Sequence, residues 1–110
     1  MKPLYHPATE DIQLTSVLYA LSDPVRLSIV KQVMAFGEQA CGDISIPVAK
    51  STMSHHSKTL REAGIIQTRV MGTQRLLSIR HEDLEARFPG LLEAVMSNAP
   101  SVEEISSGND

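Results

Sequence analysis

Apolar positions along the chain recur with a helical period in several stretches and with a strand-like pattern in one. Ile12, Val17, Leu18 and Leu21 predict a first helix from about Thr9 or Ile12 to Leu21. Val25, Leu27, Ile29, Val30, Val33 and Met34 predict a second, from Pro24 to about Phe36. Asp23 can cap it, Pro24 suits a first turn that needs no N–H, and Gly37 ends it. Cys41 to Ile46 has room for one or two helical turns before Pro47 stops them. From Ser51 to Ala63 the pattern has two sides. Met53, Leu60 and Ala63 fall on one, with His56 or Ser57 between them, and Ser51, Ser54, His55 and Lys58 fall on the other. Gly64 is a good C-cap. Ile65 to Val70 and Arg75 to Arg80, joined through Met71-Gly72-Thr73-Gln74, predict a hairpin. Glu82 to Arg87 reads as a short acidic helix, Phe88-Pro89-Gly90 breaks it, and Leu91 to Met96 forms a last apolar helix.

The polar side of the third long helix carries the chemistry. Small residues at its N-terminus allow close approach, hydroxyls and an imidazole can bond base edges and phosphates, and the apolar back anchors the helix. A helix seated in the DNA major groove needs that combination. Helix, glycine, then a hairpin with Arg69 and Arg75 near its tip is the construction of a winged helix-turn-helix, whose wing lies on the phosphate backbone or in the minor groove. The expected fold is therefore mainly α with a small β-hairpin. Residues 1–99 are expected to form one DNA-binding and dimerisation domain and residues 100–110 a disordered acidic tail.

Charge supports this once its distribution is considered. The net formal charge of the 110 residues is −3, yet residues 50–80 hold six Lys/Arg against Glu62 alone. Residues 1–49 have a net of −2 and residues 81–110 a net of −6. Two copies of the basic block would present about +10 to phosphates. There is no tryptophan, so Leu, Ile, Val, Ala and Met must fill a modest core, which favours dimerisation. No run of about 18 apolar residues predicts a membrane span, and the N-terminus lacks an apolar signal region. With one cysteine, a reducing cytoplasm is the expected compartment. Neither a phosphate loop nor a nucleophile elbow nor a metalloprotease motif is present, so no catalysis and no cofactor are expected.

Ala20-Leu21-Ser22-Asp23-Pro24-Val25-Arg26-Leu27-Ser28-Ile29-Val30, then Ser51-Thr52-Met53-Ser54-His55-His56, then Leu60-Arg61-Glu62-Ala63-Gly64-Ile65-Ile66 resembles the ArsR/SmtB-type family of bacterial repressors over roughly residues 12–97. The resemblance implies a homodimer of winged helices joined through the first and last helices, a palindromic operator in double-stranded DNA, and release by an effector. It implies DNA contacts from Ser51, Thr52, Ser54, His55 and Lys58 and wing contacts from Arg69 and Arg75. Apolar faces on the terminal helices propose Val17, Leu18, Tyr19, Leu91, Leu92, Val95 and Met96 for the dimer interface.

The effector site departs from the family. Where many members have Glu-Leu-Cys-Val-Cys-Asp, this chain has Glu38-Gln39-Ala40-Cys41-Gly42-Asp43, so the usual thiolate pair is absent and no metal site is expected. The segment from Asp43 to Ser51 is about two residues short and contains Pro47, which predicts a truncated helix. Ser57 stands where the family usually has a large apolar residue. Cys41 has three readings: a small buried residue, a redox switch, or a metal ligand together with His6 or Asp43. Adjacent helical residues point about 100° apart, so His55 and His56 cannot easily hold one ion; His55 is expected on DNA and His56 against the core. The effector remains unknown. Two alternatives stand beside the DNA-reading repressor: a winged-helix module used in protein–protein contact, and a redox-sensing repressor using Cys41.

Overall fold

The computed structural model describes residues 4–100. Five helices, α1 (Leu14–Ala20), α2 (Pro24–Phe36), α3 (Lys50–Glu62), α4 (His81–Arg87) and α5 (Leu91–Asn98), pack with three strands, β1 (Gln39–Ala40), β2 (Ile66–Met71) and β3 (Gln74–Ile79). The strands form one antiparallel sheet in the order β1-β3-β2. This is the winged helix-turn-helix expected from the sequence. The acidic tail expectation covers residues 100–110, which lie outside the described residues apart from Pro100. Among the described residues, no helix is long and apolar enough to cross a membrane.

Local sequence accounts for most element ends. Asp23 accepts hydrogen bonds from the backbone N–H of Val25 and Arg26 at 2.8 and 3.1 Å, with Pro24 in the first turn of α2. At the end of α3 the N–H of Ile65 donates to Leu60 O and that of Gly64 to Arg61 O, the paired bonds of a Schellman cap, with Gly64 at φ +90°. The wing turns through two residues, Gly72 and Thr73, with positive φ only at Gly72, the pattern of a type II′ hairpin turn.

Two elements differ from expectation. The first helix begins only at Leu14; Thr9–Asp11 is a separate 3₁₀ turn, and Ile12 between them is buried in extended backbone. The segment before α3 holds one 3₁₀ turn, Cys41–Asp43, within the one or two turns expected; what differs is the strand β1 before it, whose two residues pair with Leu77 and Leu76 of β3. So short a strand has no periodicity to read and exists because β3 offers it an edge.

The core gathers Ile12, Val17, Ile29, Val30, Val33, Leu60, Ile65, Ile66 and Leu77, each at most 2% exposed. An N-terminal strap is tied to its flank. Arg61 donates to Tyr5 O at 3.0 Å, Arg80 to Pro7 O at 2.8 Å, and Arg87 to Ile12 O at 2.6 Å. His6 completes the strap: the N–H of Thr68, on the edge of β2 away from β3, donates to Nε2 at 3.0 Å. Nε2 must therefore be unprotonated, and the proton sits on Nδ1, which donates to Leu4 O.

Burial lowers the His6 pKa, with Arg61 and Arg80 acting in the same direction against the Leu4 hydrogen bond. A folded-state pKa below the unfolded 6.5 means that this contribution is complete above 6.5 and is lost as pH falls through the folded value. Thermal unfolding followed by circular dichroism should show a lower midpoint in mild acid, with a smaller drop in His6→Gln. An equal drop in both proteins would show that His6 is not responsible.

Candidate nucleic-acid interface

α3 is divided by burial as its sequence pattern requires. Met53, His56, Ser57, Leu60 and Arg61 are buried, whereas Lys50, Ser51, Thr52, Ser54, His55 and Lys58 are exposed. Both His56 and Ser57 lie inward, and Ser57 Oγ is 3.7 Å from Cys41 Sγ, so a polar contact fills the site where a large apolar side chain was expected. Ala49 precedes the helix and has no side-chain acceptor to cap it. The first turn thus directs backbone N–H groups and Lys50 toward the outer face, where helix geometry favours an anion.

The two wing arginines separate. Residues paired across an antiparallel ladder share a face, and successive residues alternate. Arg75 pairs with Val70, but Arg69 pairs with Leu76, so the two guanidiniums lie on opposite faces of the hairpin. Arg75 lines an open groove of about 860 Å³ together with Lys50 and Ser54 of α3. Arg69 instead meets Glu38 through Nη2 at 2.8 Å, an exposed ion pair that raises the arginine pKa and lowers that of the carboxylate. The structure does not bring Arg69 to the face formed by α3 and Arg75.

The basic block is also smaller than its sequence suggests. Arg61 is buried and bound to Tyr5 O. Arg80 binds Pro7 O and forms a 2.9 Å ion pair with Asp83, which also accepts from Thr9. These two contacts hold the Asp83 carboxyl below its ordinary pKa, the Thr9 hydroxyl more than the guanidinium. Lys50, Lys58 and Arg75 remain as exposed cations, with no ion pair among the described residues.

Cys41 is half-buried and lines the groove beside α3. Both ring nitrogens of His6 are engaged by backbone groups, and no three His, Cys, Asp or Glu side chains among the described residues are grouped to hold a metal. The structure therefore does not assemble His6, Cys41 and Asp43.

The surface expected for dimerisation is corrected in two positions. Val17 and Leu92 belong to the core, at 1% and 8% exposed, because α1 and α5 turn those faces toward Leu84. Leu18 and Tyr19 are exposed, and Leu91, Val95 and Met96 are half-buried. Leu14, which the sequence pattern did not single out, is also exposed, one helical turn before Leu18.

A helix with a small-residue polar face, followed by a hairpin that brings an arginine to the same side, defines a winged helix-turn-helix regulator. An uncharacterised HTH-type transcriptional regulator of Bacillus subtilis, YceK, is 33% identical over 90 residues, spanning 79% of this chain and 90% of that protein. An arsenical resistance operon repressor of Staphylococcus xylosus is 32% identical over 75 residues, 66% of this chain and 71% of that one. The crystal structure of the transcriptional repressor BigR from Xylella fastidiosa superposes with a TM-score of 0.56 at 28% identity, covering 68% of this chain and 85% of that one. An ArsR family transcriptional regulator superposes with a TM-score of 0.60 at 25% identity, covering 74% and 90%. No protein-family profile matches the chain. The chain belongs to the ArsR family of helix-turn-helix transcriptional regulators.

Proposed function

We propose that the protein is a homodimeric repressor acting in the cytoplasm, which reads a palindromic operator in double-stranded DNA and leaves it when an effector binds. The division of α3 carries this reading: Ser51, Thr52, Ser54, His55 and Lys58 are exposed on a helix whose other side is locked into the core. In this arrangement Ser54 and His55 address base edges. Ser51, Thr52 and Lys58 hold the helix in the major groove, and Lys50 and Arg75 lie on phosphates. Arg69 is left out, because it faces the other way. Leu14, Leu18 and Tyr19, with Leu91, Val95 and Met96, give a second copy an apolar surface, and two copies present two reading helices to two half-sites. Ala40 and Gly42 stand in place of the family's cysteine pair, so the effector is not one that needs two thiolates from this segment.

The test is fluorescence anisotropy on a duplex that the protein itself enriches from a random pool, repeated over a range of salt. Three exposed, unpaired cations within residues 50–80 of each chain give six per dimer, and a log–log salt slope of roughly −5; the full +10 of the basic block would give roughly −9. Two chains should load per duplex. Enrichment of no sequence, or affinity indifferent to salt, would favour a winged-helix module that contacts protein.

A further inference from the structure

The buried side of the reading helix contains an unexpected polar joint. His56 is buried, and its Nδ1 is 3.1 Å from Nη1 of Arg26 on α2. Arg26 is itself only 5% exposed. Its Nε donates to Ala20 O at 2.7 Å and its Nη2 to Tyr19 O at 3.3 Å, and the guanidinium carbon lies 5.2 Å from the centre of the Tyr19 ring. One cation thus meets the carbonyl end of α1, where helix geometry favours positive charge, and reaches the middle of α3.

A guanidinium has donors only. His56 Nδ1 must therefore accept, which fixes the imidazole as the neutral Nε2–H tautomer. A second proton on His56 would set two donors and two positive charges against each other 3.1 Å apart.

We propose that Arg26 is a positioning residue for DNA reading, that it acts through neutral His56 to hold α3 at a set angle to α1 and α2, and that protonating His56 releases this hold and weakens operator binding. The inference rests on the DNA-reading function proposed above. It goes beyond that reading by assigning a proton-sensitive control to residues that touch no DNA.

The charged groups facing His56 are few. Arg26 and Asp23 come from α2 and its cap and His55 from the same helix; α1 carries no charged residue, and its Ala20 and Tyr19 carbonyls and the Tyr19 ring meet Arg26. Burial lowers the His56 pKa, Asp23 opposes this, and Arg26 and His55 add to it. The neutral form is therefore populated above the ordinary 6.5, and the hold is lost as pH falls through the lowered value.

The experiment measures affinity for the enriched duplex at constant ionic strength from about pH 7.5 to about pH 5.5, the range in which histidines change charge. Wild-type affinity should fall with acid, by up to roughly tenfold per protomer for each pH unit below the His56 pKa. His56→Gln, which keeps an acceptor and cannot titrate, should bind as the wild type at the upper pH and lose most of the acid response. Arg26→Lys, with a shorter reach and a single nitrogen, should lose affinity for the enriched duplex at every pH. An unchanged acid response in His56→Gln, or none in the wild type, would overturn the proposal. Histidine ¹⁵N shifts of the wild-type chain provide a second test that needs no variant and no DNA: His56 should show the Nε2–H tautomer near neutral pH, and Nδ1–H would overturn the joint. If no duplex is enriched, the DNA-reading function fails, while the tautomer measurement still decides the joint.

Discussion

Gly64→Ala will destabilise the protein by roughly 2–5 kcal/mol, a large share of the roughly 5–15 kcal/mol that holds a domain folded. Two costs combine. The residue holds φ +90° in the cap of α3, and a left-handed conformation costs a side-chain-bearing residue about 1–2 kcal/mol. The added methyl would also lie 2.6 Å from Cγ1 and 2.8 Å from Cδ1 of Ile12, a β-branched side chain 1% exposed in the core. Overpacking of this kind adds about 1–3 kcal/mol. Urea unfolding measures the total, and a double-mutant cycle separates its parts. Ile12→Ala removes the atoms that the methyl would strike, so Gly64→Ala should cost much less in that background than in the wild type. Equal costs in both backgrounds would mean that backbone conformation alone makes this position glycine.

Substitutions on α3 and on the wing will affect DNA binding in different ways. His55→Ala and Ser54→Ala should each change which duplex is preferred, by about 1–3 kcal/mol for each base that is no longer read. Arg75→Ala and Lys50→Ala should weaken binding to all duplexes alike and make the salt slope shallower by about one for each phosphate that is no longer neutralised. Arg69→Ala should leave both preference and slope nearly unchanged, because its side chain lies across the hairpin against Glu38. Competition anisotropy over a small set of single-base variants distinguishes these outcomes. If Arg69→Ala matched Arg75→Ala, the wing would approach DNA by its other face. If His55→Ala weakened all duplexes equally, α3 would touch phosphates and not bases.

Much of this arrangement could be read from the chain because it depends on neighbours within one helical turn or one strand. The two faces of α3 follow from residues three and four apart. The cap at Gly64 and the turn at Gly72 follow from residues that accept positive φ, and the start of α2 follows from Asp23-Pro24. Other features depend on partners far along the chain. Arg61 counted as part of the basic block until the structure placed it under Tyr5, 56 residues earlier, and Arg80 likewise serves Pro7. Val17 and Leu18 look alike in sequence, yet one is core and the other surface, because adjacent helical positions diverge and only the packing of α1 decides which faces inward.

The sequence by itself determined the winged-helix order of elements, the polar face of the reading helix and the absence of the family's cysteine pair. Each depends on residue identity at local spacing. The tertiary structure alone decided that Arg75 and not Arg69 shares the face of α3, since strand register sets the side of every residue on a hairpin and a shift of one would exchange them. It also decided that Arg26 and His56 meet: the two lie 30 residues apart, and only the packing of α2 on α3 leaves a buried guanidinium facing an imidazole that must stay neutral to accept its hydrogen bond.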